Sequence, residues 1–323
     1  MQGKITASSL NVRKDTSTAS PVVKTLSRNT TVNILSNKKV GTTVWYKIKE
    51  GWISGKYVSI LSDTKNEIVV NPNMTMKQIQ DCLKESGCTI RFTSGIYNIT
   101  TTLLIYSDTK IIIDNGAILI RKNPKQIFTN YLDPKINYNY NATKNVTISG
   151  NGVLRGNGST KICSTISIMH CDNFKIEGIT FEKTYKSHAL DICGCSNMTL
   201  NNIKFKDRIN NPKALHKEEI NLDYSYYGGF PYYTKGSKCF NKNHCKNITF
   251  ERLTFDNITV CIGNHYDNTK LKHENINISK CTTNGNVGYF VNLINVDRLT
   301  MKSNNTKLKV LLDEESVTNV ITK

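Results

Sequence analysis

From Asn145 onward the chain repeats one short unit, an asparagine followed by apolar residues at alternate positions. Asn145-Val146-Thr147-Ile148, Asn173-Phe174-Lys175-Ile176, Asn197-Met198-Thr199-Leu200, Asn247-Ile248-Thr249-Phe250 and Asn275-Ile276-Asn277-Ile278 share it. In three of them the pattern runs on identically, to Ile179 and Phe181, Ile203 and Phe205, and Leu253 and Phe255. Successive starts differ by 28, 24, 50 and 28 residues. A period near 25 with two-residue alternation describes strands that turn and return, each coil lying on the last. The interval of fifty reads as two coils, one of which lacks the asparagine and carries an insertion. Leucine-rich repeats have a similar period but demand many leucines, whereas this chain uses Ile, Val, Phe and Asn. The pattern predicts a right-handed parallel β-helix with asparagines stacked at a turn.

A second strand precedes each asparagine turn: Ile166-Ser167-Ile168-Met169, Leu190-Asp191-Ile192-Cys193, Ile220-Asn221-Leu222-Asp223 and Val260-Cys261-Ile262-Gly263. If Ile166, Leu190 and Ile220 point inward, then Asp191, Asn221 and Asp223 point outward. Adjacent coils lie about 4.8 Å apart and alternate residues of one strand about 6.6 Å apart, so Asp191 and Asp223 are diagonal neighbours at roughly 8 Å. Their side chains could hold two carboxyls in the window of about 6.5–9.5 Å used in inverting glycoside hydrolysis. His188 and Glu218 precede these strands and could reach the same face, and His265 ends the strand of the following coil. From Tyr224 to Cys245 the chain leaves this strand in an insertion holding Tyr226, Tyr232 and five other aromatics, interspersed with Gly and Pro. Those rings either wall a saccharide cleft or pack on the β-helix to cover the loop.

Before the repeat, residues 1–62 read as a small antiparallel barrel. Its strands are Leu10-Asn11-Val12-Arg13, Val22-Val23-Lys24-Thr25-Leu26, Thr31-Val32-Asn33-Ile34-Leu35, Val44-Trp45-Tyr46-Lys47-Ile48 and Gly51-Trp52-Ile53. Ser62-Asp63-Thr64-Lys65-Asn66-Glu67 is a polar connector, so a second domain spans 63–323. It begins with Thr75-Met76-Lys77-Gln78, a capping box that starts a short helix with Met76, Ile79 and Leu83 on one face. After Thr89–Ile99, Thr109-Lys110-Ile111-Ile112-Ile113-Asp114 and Ala117-Ile118-Leu119-Ile120 supply strands of the early coils. The fold class is therefore all-β.

The formal net charge is +18, and residues 1–60 carry ten Lys or Arg against Asp15 and Glu50. Such a basic segment suggests an anionic partner, either nucleic acid or a polyanionic envelope, or else a solvated surface. No apolar run is long enough to span a membrane. The first residues lack the apolar core of a signal peptide, so a protein acting outside a cell would leave by lysis, by a dedicated machine or in a particle. The ten cysteines read mostly as small apolar fillers of a stacked core. Cys193 and Cys195, two apart in a strand, are expected to share a face. His170, Cys171, Cys193 and Cys195 lack a recognisable zinc-ligand spacing, so neither metal nor cofactor is expected.

Two resemblances sharpen these readings. Leu10-Asn11-Val12-Arg13, Trp45-Tyr46-Lys47-Ile48 and Gly51-Trp52-Ile53 ending in Tyr57-Val58 resemble the bacterial SH3-like domain. Members of that family commonly bind cell wall, which implies a wall polysaccharide as partner rather than nucleic acid. Trp45 and Trp52 are then candidate ligand-binding rings, unless they only fill a small core. The capping helix followed by Phe92-Thr93-Ser94-Gly95-Ile96-Tyr97 resembles the start of the pectate-lyase-like β-helix superfamily, with Thr93 replacing the usual proline. Over most of 68–323 the chain resembles a phage-associated branch related to polygalacturonase-like hydrolases. Ser187-His188-Ala189-Leu190-Asp191 and Ile262-Gly263-Asn264-His265 match recurring segments of that branch. Glu218-Glu219-Ile220-Asn221-Leu222-Asp223 matches another, with Glu219 in place of Ala and Asn221 in place of Gln. The adjacent Asp-Asp pair of true polygalacturonases is absent.

The resemblance implies a glycoside hydrolase acting at the bacterial envelope, virion-associated or a homotrimer. Asp191 and Asp223 would be the catalytic pair and Glu218 the nearest substitute. His188, Asn221, His265, Tyr226 and Tyr232 would bind substrate. A polysaccharide lyase and a non-catalytic glycan-binding tail or wall protein are the alternatives. Elimination would need a base and charge neutralisation by calcium or arginine; Arg208 is the only nearby arginine, and the sequence offers no tight calcium-binding carboxylate cluster.

Overall fold

The computed structural model describes residues 2–61, 67–85, 87–209, 218–228, 230, 232–264, 271–305, 309–313 and 315–322. The chain forms two compact units, Met1–Asn66 and Glu67–Lys323. The expected boundary after residue 62 lies within 62–66, outside the described residues.

The first unit holds two antiparallel sheets. One orders its strands Val22–Ser27, Ser9–Arg13, Trp52–Ser54, Thr43–Lys47 and Ser36–Val40; the other orders Thr31–Asn33, Gln2–Ile5 and Val58–Leu61. Alternation along Ser9–Arg13 sends Leu10 and Val12 inward, where they meet Ile5, Leu26, Ile48 and Ile53. The Ser36–Val40 strand gave no such signal because it lies at a sheet edge with every residue exposed. Trp45 is buried, only 4% exposed, so it cannot present a ring to a sugar without moving. Trp52 is half-buried, with Lys47 Nζ 5.4 Å from its ring centre.

The second unit is a right-handed parallel β-helix. Among the described residues it has three parallel sheets of ten, seven and eight strands. A coil takes one strand from each, for example Ser196–Asn201, Lys204–Lys206 and Glu218–Asp223. The helix Met76–Leu83 carries the expected capping box between Thr75 and Gln78 and buries Ile79 and Leu83. Its Gln80 side chain accepts from Leu104 N at 2.7 Å and donates to Leu104 O at 3.1 Å, satisfying the edge of the eight-stranded sheet.

Side-chain ladders lock the register. Phe181, Phe205 and Phe255 stack in successive coils with centroids 5.1 Å apart, and Phe290 meets Phe255 edge-on. Asn145, Asn173, Asn197, Asn247 and Asn275 all adopt left-handed φ of 52–56°, a conformation asparagine tolerates better than other side-chain-bearing residues. Each amide donates to the coil before it: Asn173 to Asn145 at 2.8 Å, Asn247 to Asn197 at 2.9 Å and Asn275 to Asn247 at 2.8 Å. Between Asn173 and Asn197 the ladder steps aside, since Asn197 donates to Asp172.

The fifty-residue interval is one coil, not two. Met198 pairs directly with Ile248, and Phe205 with Phe255. The sheets therefore stay in register from Ser196–Asn201 to Lys246–Glu251 without an added turn.

Candidate functional site

The eight-stranded sheet carries the candidate site. Leu190 and Ile192, Ile220 and Leu222 fill the core, which turns the residues between them to the other face. Ser167, Asp191, Asn221 and Gly263 stand side by side in one row across the coils. Met169, Cys193 and Asp223 form the next row. Asp191 and Asp223 are therefore diagonal, as the repeat predicts.

Outward does not mean exposed here. Asp191 is 4%, Asn221 1% and Asp223 1% exposed. Residues 131–142 and the aromatic insertion after Asp223 cover the neighbouring row of Met169 and Cys193. Phe230 and Cys239 bury Leu132, Met169 and Cys193 in a satellite core, with Tyr232, Tyr233 and Phe240 at its margin. Tyr233 Oη donates to Leu132 O at 2.7 Å, and Asn243 Nδ2 to Asn139 O at 2.8 Å, tying the two segments together. His170, fully buried, places Nδ1 2.7 Å from Asn139 O and Nε2 2.7 Å from Cys239 O. The insertion is thus largely a lid packed on the sheet. Tyr232 belongs to it, half-buried with Lys125 Nζ 4.8 Å from its ring centre.

Within this cover the two carboxylates are clamped. Asn221 Nδ2 donates to Asp191 Oδ1 and to Asp223 Oδ2, at 3.0 Å each. Sharing one nitrogen limits those two oxygens to a separation of 6.0 Å. Asp191 Oδ2 also accepts from Ser164 Oγ, and from Ser167 Oγ at 3.3 Å. Burial, reinforced by the charge of Asp191, pushes the Asp223 carboxyl well above its ordinary value of 3.8. Hydrogen bonds from Asn221, the Tyr224 backbone and half-buried Tyr226 pull in the opposite direction. Asp223 consequently holds a proton more readily than a solvated carboxyl does.

His188 and Glu218 reach the same face. His188 Nδ1 lies 2.6 Å from Glu218 O, which places the ring proton on that nitrogen and turns Nε2 toward Asp191 Oδ1, 3.8 Å away. The Glu218 side chain folds over Gly263 of the next coil. A Cβ added at Gly263 would come within 2.5 Å of Glu218 Cγ, so this close approach needs glycine. His265 lies outside the described residues.

Glu219 takes no part in this face. It is fully buried, accepting from Arg208 Nη1 at 2.9 Å and from Thr184 Oγ1 at 2.6 Å. Burial raises its carboxyl, and Arg208 and Thr184 counter that. Sequence reasoning missed this pair, although an acidic residue at a position otherwise held by alanine was its signal. It also missed Ser164, which lies in no strand or motif but donates to Asp191.

The cysteines form no disulfide, although Cys195 Sγ accepts from Cys171 N of the neighbouring coil at 3.4 Å. All ten are free thiols. Gly194, at φ 56°, turns the chain between Cys193 and Cys195, so Cys195 joins the helix core while Cys193 joins the satellite core. They lie on opposite faces of the wall, contrary to the expectation that they share one. Among the described residues no cluster of His, Cys, Asp and Glu could hold a metal ion, and no helix is long and apolar enough to cross a membrane.

The molecule is therefore a two-module chain in which an SH3-type barrel precedes a parallel β-helix with a covered carboxylate row. Residues 8–59 match the bacterial SH3 domain family. The chain is 22% identical over 210 residues to plasmin and fibronectin-binding protein A of Streptococcus pneumoniae, a match covering 56% of this chain and 29% of that protein. It therefore spans less than a third of that relative's length. The crystal structure of PfbA, a surface adhesin of the same organism, superposes with a TM-score of 0.57 at 19% identity, covering 78% of this chain and 64% of PfbA. A mutant tailspike protein of E. coli bacteriophage HK620 in complex with a pentasaccharide matches with a TM-score of 0.51 at 14% identity, over 79% of this chain and 48% of the tailspike. At these identities the likeness establishes the β-helix fold.

Proposed function

We propose that the β-helix hydrolyses a glycosidic bond in a bacterial cell-wall or surface polysaccharide, and that the SH3 domain holds the protein to the wall. The observation that carries this reading is the clamped pair, in which Asn221 holds Asp191 and Asp223 together while burial favours the protonated form of Asp223. Asp223 delivers that proton to the leaving oxygen as the C–O bond breaks. Asp191 takes a proton from the water whose oxygen bonds to the anomeric carbon. His188 and Glu218 orient the sugar at the edge of the pair. Water can enter between carboxyls this close only if substrate draws one of them off Asn221, and the lid must yield to admit the sugar.

Elimination is less well supported, because the guanidinium it would need is engaged by Glu219 inside the coil. A non-catalytic glycan-binding role is the second reading. The near-complete burial of the pair favours it, as does the likeness to a protein described as a surface adhesin. Product analysis on host wall fractions separates the three. New reducing ends indicate hydrolysis, an unsaturated product absorbing in the near ultraviolet indicates elimination, and retention without products indicates binding alone.

A further inference from the structure

We infer that the glycan cut at Asp191 and Asp223 carries phosphodiesters, and that a row of lysines on the turns leading into their sheet binds them. The inference rests on the hydrolytic reading and names its substrate class. Three successive turns join the seven-stranded sheet to the eight-stranded one, at residues 122–126, 156–165 and 183–188. They hold Lys122, Lys125, Lys161, Lys183 and Lys186 and no Asp or Glu. Lys122, Lys125 and Lys161 are exposed, and Lys183 and Lys186 are half-buried. Glu182, the acid next to them in sequence, is already engaged by Arg155 at 2.5 Å and Lys206 at 3.1 Å.

The same turns supply the partners of Asp191. Ser164 Oγ donates to it, and His188 Nε2 stands 3.8 Å from it. Gln126 Nε2 donates at 3.2 Å to Ser167 Oγ, which in turn donates to Asp191. Lys125, Lys161 and Lys186 thus each lie within three residues of a group that reaches Asp191 directly or through one hydroxyl. The opposite ends of the strands, at Met169 and Cys193, lie under Phe230 and Cys239, so an approaching polymer meets the lysine side. Lys161 is pinned there by buried Arg121, which donates to Lys161 O at 2.8 Å and to Gly156 O at 3.1 Å. Lys125 Nζ donates to Tyr232 O at 3.2 Å and would exchange that carbonyl for an arriving anion.

Charge type selects the ligand. The planar fork of arginine matches a carboxylate at two points, whereas lysine serves phosphate as a point charge. The arginines beside these turns are already engaged, Arg121 by backbone carbonyls and Arg155 by Glu182, which leaves an edge of lysines alone. Coils recur about every 4.8 Å, so the lysines run along the helix axis and suit charge repeated along a polymer rather than a single ion.

The test titrates the full chain, as wild type and as the double variant Lys161→Gln, Lys186→Gln, with glycosylated poly(glycerol phosphate), polygalacturonate and an oligothymidylate. Comparing variant with wild type cancels the contribution of the basic first unit. The variant should keep the wild-type urea midpoint of the β-helix and bind poly(glycerol phosphate) roughly fivefold more weakly, the loss of two exposed ionic contacts. The carboxylate and nucleotide polymers should show a smaller loss. Unchanged affinity for poly(glycerol phosphate), or an equal loss for all three polymers, would overturn the inference. Reducing-end release from the glycosylated polymer separates the two readings. Release by the wild type with unchanged affinity in the variant leaves hydrolysis standing without this edge. The fivefold loss without release keeps the edge as a phosphate-binding surface and ends the hydrolytic reading.

Discussion

Replacing Asp223 by asparagine keeps the side chain's shape and the oxygen that accepts from Asn221, but removes the ionisable group. Asp223 is 1% exposed and its carboxyl is raised well above 3.8, chiefly by burial. The folded value thus exceeds the unfolded one, so above pH 3.8 the unfolded chain releases a proton that the folded chain still holds. Stability from this group is fully present below the unfolded value and is lost as pH rises toward the folded value. The slope can reach about 1.4 kcal/mol per pH unit. Between pH 5 and pH 7 the wild type should therefore lose up to about 3 kcal/mol relative to Asp223→Asn, less any share of the proton taken by Asp191. Both tryptophans belong to the first unit, so urea unfolding of the β-helix is followed by far-ultraviolet circular dichroism. The variant should match or exceed the wild type at pH 7 and show the flatter pH profile. Parallel profiles would refute the claim that Asp223 is buried as an acid.

Three further outcomes follow from the same geometry. Arg208→Met should lower stability by about 3–5 kcal/mol by stranding Glu219, and the double change Arg208→Met, Glu219→Gln should recover much of it in the same urea assay. Asn247→Ala removes two rungs of the ladder and a tolerated left-handed residue, a cost of about 1–3 kcal/mol, whereas Asn247→Gly should recover the backbone share. Binding of the full chain to Gram-positive sacculi should weaken with added salt and fall on deletion of residues 1–66, because that unit is strongly basic. Salt-independent pull-down would contradict the electrostatic part of the wall-binding reading.

The β-helix and its registers were legible because alternation and turn asparagines are local signals: Asn145 to Asn275 mark each coil, and the core rows follow from parity. The diagonal placement of Asp191 and Asp223 was legible for the same reason. Burial was not. Tyr232 and its neighbours read equally as a cleft wall or a cover, since composition does not say which way a loop folds back. The fifty-residue coil was misread because an excursion and an added turn have the same length. Cys193 and Cys195 were placed on one face because strand parity was carried through Gly194, where the chain leaves the strand. The Arg208–Glu219 pair depends on two segments meeting inside a coil, which no single stretch of sequence reveals.

The central claim is that Asp191 and Asp223 perform glycosidic cleavage, and the direct measurement is reducing-end release from host wall polysaccharide by the wild type, Asp191→Asn and Asp223→Asn, each first shown to unfold cooperatively. The account predicts new reducing ends from the wild type and a loss of at least roughly 100-fold in turnover for each variant, the share commonly supplied by one general acid or base. Near-normal release by both variants would contradict it, as would a wild type that binds the polymer and releases nothing.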